Sequence, residues 1–251
     1  MTANENRESG EPRIALVTGA NKGIGFEVSR RLGQAGLTVL MGARDMALGE
    51  TAAARLRRDG LDAHAIALDL TRIDLVQAAA RTIAAEFGRL DVLVNNAAIP
   101  GGAADGPPST ADLDSVRRMF ETNFVGSLAV IQAMLPLIRK SGAGRIVNVS
   151  SGLGSLTLNA DPTWRFAPYK LLAYSASKAA LNMLTVQLAY ELRETSIKVN
   201  SADPGFTATD LNQHRGTQTI EEGAVAPVRL ALLPADGPTG GFFDSAGSLP
   251  W

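Results

Sequence analysis

Cysteine is absent from this 251-residue sequence, and with it go disulfides, thiolate nucleophiles and cysteine-ligated zinc. The same absence leaves the redox compartment unmarked. Only two histidines are present, His64 and His214. Neither has a partner at a metal-ligand or triad spacing, so both read as structural or solvent-facing groups and no metal site is expected. No run approaches the roughly 18 consecutive apolar residues that suggest a membrane span. The opening MTANENRESGEP is polar and lacks the apolar stretch of a signal peptide. Lysine and arginine (24) nearly balance aspartate and glutamate (25), leaving a net charge of −1. These charges are scattered, so neither a nucleic acid nor a membrane is indicated as a partner. The expectation is a cytoplasmic protein with residues 1–12 as a disordered lead-in.

From residue 13 to residue 251 there is no interior linker, repeat or low-complexity run, which favours one large domain over two. Short aliphatic runs alternate with amphipathic ones. RIALVT precedes a helical pattern from Ile24, LTVLMG precedes one from about Asp45, AHAIALDL precedes one from about Arg72, and LDVLVNN follows. Further strand patterns stand at GRIVNVSS, IKVNSADPG and TGGFFD. Such alternation predicts an α/β fold, a Rossmann-type doubly wound parallel sheet with helices on both faces, in a single domain. Ligands of such sheets bind beyond the carboxyl ends of the strands, so the residues after each strand carry the functional information.

After the first strand comes TGANKGIG, with Thr18, Gly19, Gly23 and Gly25 between a strand and a helix. Glycines there allow a tight turn and close approach of a pyrophosphate, whose charge is met by free amides at the helix start. The spacing departs from the strict dinucleotide fingerprint and lacks the Gly-Lys-Ser/Thr of a P-loop. Glycines kept for structure alone are the alternative. The second strand ends in Ala43 and Arg44, and Lys22 lies in the glycine loop. Two cations can converge on the 2′-phosphate of NADP, whereas an acidic residue would favour NAD; a solvated surface arginine is the other reading. Asp45 fits the N-cap of the next helix. Asp69, Leu70, Asn95 and Ala97 lie at the ends of the third and fourth strands, where they suit an adenine edge and a flat ring, or equally caps and turns.

These segments, together with Asn123 in ETNFVG, VNVSS, YSASK and DPGFTATDL, resemble the short-chain dehydrogenase/reductase family in content and order. TGANKGIG with GARD is most similar to its NADPH-dependent carbonyl reductases. The resemblance implies reduction of a ketone or aldehyde with NADPH as cofactor and a small-molecule carbonyl as partner. It implies a tetrad of Asn123, Ser151, Tyr174 and Lys178. Around the cofactor it places Thr18, Gly19, Asn21, Lys22, Gly23, Ile24, Gly25, Arg44, Asp69, Leu70, Asn95 and Ala97, with Tyr174 and Lys178. Pro204, Gly205, Phe206, Thr207 and Thr209 would hold the nicotinamide carboxamide. A dehydratase or epimerase retaining the nucleotide, and a non-catalytic NADPH-sensing regulator, are the alternatives within the family. Regulators typically lose the tetrad, and all four residues are present here.

Two departures stand out. Ala98 occupies a position where the family has glycine, and a positive φ there would strain alanine. The step from Ser151 to Tyr174 is also longer than the family's common spacing. Trp164, Phe166 and Tyr169 fall within it, three of the chain's thirteen aromatic residues. With Phe206 they are expected to wall a substrate pocket, unless they only fasten the insertion to the core. Relatives with an insertion here are often monomers, so the resemblance also implies a monomer.

Tyr174 and Lys178 are four residues apart in a helical pattern and therefore share a face. Tyrosine's ordinary pKa of about 10 is too high for efficient proton exchange at neutral pH. A lysine charge near 4 Å contributes about 4 kcal/mol at an effective dielectric of about 20, roughly three pKa units before desolvation opposes it. The expectation is therefore a tyrosine with a lowered pKa that protonates a carbonyl oxygen. Ser151 would hydrogen-bond the same oxygen, and Asn123 would anchor a water leading from Lys178 to solvent. Ser150 should face the other way and serve structure. The acidic clusters at 59–62 and 221–222 fit helix ends and solvated surface.

Overall fold

The computed structural model describes residues 12–102 and 105–251. Apart from Pro12, the lead-in lies outside the described residues. Seven parallel strands form one sheet in the order β3-β2-β1-β4-β5-β6-β7. The first half runs β1 (Ile14–Thr18), α1 (Gly23–Gln34), β2 (Thr38–Ala43), α2 (Met46–Arg58), β3 (Ala63–Ala67) and α3 (Ile73–Glu86). The chain then crosses to the other side of β1 with β4 (Val92–Asn95). That reversal opens a crevice beyond the ends of β1 and β4, where ligands of open α/β sheets bind.

After β4 come α4 (Leu113–Met119), a π-helical stretch (Phe120–Gly126) and α5 (Ser127–Ile138) in one continuous rod. By length and composition this rod could cross a membrane. Asp114, Arg117, Arg118 and Glu121 interrupt its apolar run, and Val130, Ile131, Met134 and Ile138 pack into the core, as a core helix does. The chain continues through β5 (Arg145–Val149), α6 (Leu156–Ala160), α7 (Leu172–Glu191), β6 (Lys198–Ala202), α8 (Ile220–Gly223), α9 (Val225–Ala231) and β7 (Phe242–Phe243).

Because successive strand residues face opposite ways, the sheet separates two cores. Ile14, Leu16, Leu40, Leu93 and Ile146 join α3, α5 and α7 on one face. Ala15, Val17, Val39, Met41, Val94 and Val147 join α1, α2 and α9 on the other. A strand buried on both faces has no polar positions to spare, which is why the sequence shows continuous aliphatic runs. At about 1.5–3 kcal/mol for each large apolar side chain buried, the two layers hold the strand ends in fixed register. Asp45 is the N-cap of α2, accepting from the amides of Ala47 (2.9 Å) and Leu48 (3.1 Å).

Candidate active site

Thr18 ends β1 fully buried, and its hydroxyl accepts from the amides of Asn96 (3.0 Å) and Ala97 (2.9 Å). Asn96 answers with its side-chain amide, donating to the carbonyls of Thr18 (2.9 Å) and Gly19 (3.2 Å). The loops after β1 and β4 are thus tied together across the crevice. Gly19 has a φ of +63°, and a Cβ on Gly25 would lie 2.4 Å from the Asn96 side chain and 2.5 Å from the Gly19 carbonyl oxygen. Neither position admits a side chain without displacing backbone. Asn21 and Ile24 are half-buried at the rim of this loop. Helix α1 starts at Gly23 with no side-chain cap from Lys22, so its first amides have no side-chain acceptor among the described residues. A tight glycine turn against an uncapped helix start fits a dinucleotide pyrophosphate.

The other residues expected around the cofactor lie as follows. Lys22 forms an ion pair with Asp210 at 2.5 Å, with both side chains more than half exposed. It thereby links the glycine loop to the loop after β6. Arg44 is exposed at the end of β2, with no hydrogen bond or ion pair among the described residues. Asp69 folds into a turn, accepting from the amide and hydroxyl of Thr71 (2.9 and 2.8 Å), and Leu70 lies in the core. Asn95 turns its side chain sideways across the sheet to Asn148 (2.9 Å). Strand alternation explains this, since Asn96, one residue on, is the one that reaches the glycine loop. Ala98 is not among the residues with positive φ, so the strain expected there does not arise.

On the catalytic side, Tyr174 and Lys178 lie one turn apart on α7. Lys178 is 2% exposed, and its ammonium donates to the carbonyl of Val149 at the end of β5 (2.7 Å). That nitrogen lies 5.7 Å from the centre of the Tyr174 ring. Ser151, two residues beyond Val149, accepts from the Leu153 amide (3.2 Å) at the start of the turn after β5. Ser150 faces away and its hydroxyl reaches the Lys178 carbonyl (3.4 Å), joining strand end to helix. Asn123 sits within the π-helical stretch, a helical irregularity frequent at functional sites. Its side chain accepts from the Ile99 amide (2.8 Å) and donates to the Ile99 carbonyl and the Ser177 hydroxyl (both 3.1 Å). Asn123 therefore braces α7 beside Lys178. Both of its amide hydrogens are used in these contacts.

The electrostatics also differ from expectation. The Tyr174 pKa is raised, first by burial and then by the charge of Asp203, with Ser151 opposing. The Lys178 pKa is lowered to about 8 by burial, with Asp203 opposing. The expected lowering of the tyrosine pKa is therefore not met: burial outweighs any pull from the ammonium, which donates to Val149. Burial of the phenol thus favours its protonated form.

Two carboxylates that the sequence reading passed over shape this centre. Asp105, buried after β4, accepts from the amides of Ala173 (2.9 Å) and Tyr174 (3.0 Å), and the Leu172 amide donates to the Gly106 carbonyl (3.1 Å). These contacts satisfy the first turn of α7, whose own N-cap, Leu171, has no capping side chain. Asp203 follows β6, directly before Pro204. Its place at a strand end was a legible signal, whereas the contact of Asp105 with α7 spans 68 residues and left none.

The rim of the site is aromatic. Phe166 meets Trp164, Tyr169 and Phe206 edge-on, with centroids 5.4, 6.0 and 5.8 Å away. Trp164 lies against Gly152, the residue after Ser151: a Cβ there would be 3.2 Å from the indole. The four expected pocket residues are thus one cluster. On the loop after β6, Gly205 has a φ of +71°. The hydroxyl of Thr207 donates to the Pro204 carbonyl (2.9 Å), and Thr209 caps a short 3₁₀ turn.

Residues 13–219 match the family model described as short chain dehydrogenase. The chain belongs to this family. Carbonyl reductase [NADPH] 1 of Mus musculus is 34% identical over 95% of the chain and 98% of its own length. Short-chain dehydrogenase/reductase 1 of Saponaria officinalis is 35% identical over 93% and 94%. Among solved structures, a gluconate 5-dehydrogenase from Burkholderia cenocepacia J2315 in complex with NADP and tartrate superposes with a TM-score of 0.80. It is 28% identical and covers 93% of this chain and 94% of that one. The protein is thus an enzyme of the short-chain dehydrogenase family, an oxidoreductase using a nicotinamide cofactor.

Proposed function

We propose that this short-chain dehydrogenase is an NADPH-dependent reductase of ketones or aldehydes, with Tyr174 as the general acid. The observation that carries the reading is Tyr174 one helical turn from the buried Lys178, whose ammonium is anchored to the end of the strand that leads into Ser151. The glycine loop and the first amides of α1 would hold the cofactor's pyrophosphate. The bound cofactor supplies the hydride that reaches the carbonyl carbon. Ser151 hydrogen-bonds the carbonyl oxygen, and Tyr174 delivers its proton to that oxygen as negative charge develops there. The phenolate left behind is stabilised by the Lys178 charge until a proton returns from solvent. Arg44, exposed and unpaired among the described residues, supports the choice of NADPH over NADH. So does the printed name of the mouse relative.

NADPH oxidation followed by absorbance across a panel of cyclic, aromatic and small aliphatic carbonyls, with chiral analysis of the products, tests this reading. Turnover with one or more of them is expected. A panel-wide absence of turnover, in protein that binds NADPH, would remove it.

A further inference from the structure

We propose that Thr185 is a positioning residue for the catalytic pair: with Asn95, Asn148 and Ser201 it forms a buried row of hydrogen bonds that fixes how far α7 lies along the sheet, and so where Tyr174 stands relative to Ser151. The row begins in the strands. Leu93, Ile146 and Val199 are partners in register across β4, β5 and β6, and all three belong to the apolar core that includes α7. Two residues on, at the same face and nearer the site, the partners are Asn95, Asn148 and Ser201. None of these is more than 2% exposed, and Thr185 on α7 is fully buried. Asn95 donates to the Asn148 side-chain oxygen (2.9 Å), and Asn148 donates in turn to the Thr185 hydroxyl (2.8 Å). That hydroxyl donates to the Leu181 carbonyl (3.1 Å), so it is Ser201 that donates across the 2.8 Å between the Ser201 and Thr185 oxygens. A hydroxyl has one hydrogen to give and room to accept two. Thr185 uses all of this capacity.

Tyr174, Lys178 and Thr185 share one stripe of α7, because steps of four and seven residues return to nearly the same side of a helix. The end of β5 is tied to that stripe twice, through the Asn148 side chain to Thr185 and through the Val149 carbonyl to the Lys178 ammonium (2.7 Å). Ser151 follows two residues later. Apolar packing is non-directional and lets a helix slide by fractions of an ångström. Hydrogen bonds between buried groups resist such sliding, because a donor left unpaired in the core loses its hydration without return. A polar row is also a costly way to fill a core, and this one lies at the carboxyl ends of three strands, beneath the catalytic turn. The effect on turnover rests on the reductase reading, in which Tyr174 is the acid; the effect on the position of α7 does not.

The test is Thr185→Val, which keeps the shape of the side chain and removes the hydroxyl, made in the unmodified chain and in Tyr174→Phe. The crystal structure of Thr185→Val with NADP⁺ should show α7 displaced along its axis relative to β5. In the otherwise unmodified chain kcat for carbonyl reduction should fall about tenfold, inside the roughly hundredfold that a misplacement of about 1 Å can cost, while the Kd for NADPH stays within about twofold. Thr185→Ser, which keeps all three hydrogen bonds, should recover the loss. In the Tyr174→Phe background the valine should lower the residual rate by less than about twofold, because the group being positioned is already gone. Equal losses in both backgrounds would mean a general weakening of the protein and overturn the inference, and an unmoved helix overturns it whatever the carbonyl assay shows. Should Thr185→Val not fold, Ser201→Ala removes one of the three bonds and gives the same comparison. A Tyr174→Phe chain that keeps near-native turnover overturns the reductase reading instead, and the position of α7 in Thr185→Val then decides the inference alone.

Discussion

The glycine loop after β1 and the segment between Ser151 and Tyr174 flank the same crevice, but they are held by different kinds of contact. The glycine loop is fixed by hydrogen bonds among Thr18, Gly19, Asn96 and Ala97 that leave no space for a side chain. The other segment holds itself by edge-on rings and short local turns, such as the one in which Asp161 accepts from the amide and hydroxyl of Thr163. Tyr169 remains 55% exposed. A cofactor is the same molecule at every turnover, and rigid backbone contacts suit it. A substrate wall made of side chains can change without disturbing the sheet. Substitutions should separate accordingly, into those that stop chemistry or cofactor use and those that only reorder substrates.

The largest effect is expected at the junction of the two regions. Tyr174→Phe should keep the fold and NADPH binding while lowering kcat by at least about a hundredfold, the scale of lost acid catalysis from a positioned group. Stopped-flow or steady-state kinetics with the best substrate of the panel would check it, and near-native turnover would sink the mechanism.

Next in size is a stability effect at Lys178. Burial lowers its pKa from 10.5 to about 8, so the folded protein binds that proton less readily than the unfolded chain does. The resulting destabilisation is fully present below about pH 8 and is relieved as the pH rises toward 10.5. The shift corresponds to about 3 kcal/mol at most, and loss of the bond to Val149 reduces what removal of the amine can recover. Lys178→Met should therefore unfold at higher denaturant than the unmodified, cofactor-free protein at pH 7, with the gap closing by about 2 kcal/mol by pH 10. A gap that does not change with pH would mean that the amine is solvated when folded.

On the cofactor side, Arg44→Asp should flatten or reverse a preference for NADPH that is at least about tenfold in kcat/KM. One charge-assisted hydrogen bond to a 2′-phosphate supplies that much discrimination. Equal use of NADH by the unmodified enzyme would remove the assignment of Arg44.

The two regions were also unequally legible. The sheet and the glycine loop could be read because their signals are local: aliphatic runs, turn residues after a strand, and a helix start within a few positions. Tyr174 and Lys178 were legible for the same reason, as a four-residue step on one helix. Contacts between distant segments were not. Lys22 is committed to Asp210, 188 residues away, and Asp105 reaches across 68 residues to cap α7. Asn95 was the residue expected at the cofactor, but pairing with β5 turns it toward Asn148 and leaves Asn96 to reach the glycine loop. The sign of the Tyr174 shift depended on burial and on Asp203, neither of which is visible in the spacing of Tyr and Lys.

The smallest expected effect is the one that isolates the aromatic rim. Trp164 packs against Gly152 and against Phe166, which in turn meets Phe206. Removing the indole opens space next to Ser151 without touching the glycine loop. Trp164→Ala should therefore change the ratio of kcat/KM between a bulky and a small ketone by about tenfold, since a change of pocket contact of this kind is worth about 1–3 kcal/mol. The Kd for NADPH should stay within about threefold, because the hydrogen bonds among Thr18, Gly19, Asn96 and Ala97 that order the glycine loop do not involve Trp164. If substrate ranking is unchanged and only the melting temperature falls, the ring cluster is a fastening for the insertion and the wall of the pocket lies elsewhere. If NADPH affinity falls together with the ranking, the two regions are mechanically coupled, and the Lys22–Asp210 ion pair is the contact through which that coupling would run.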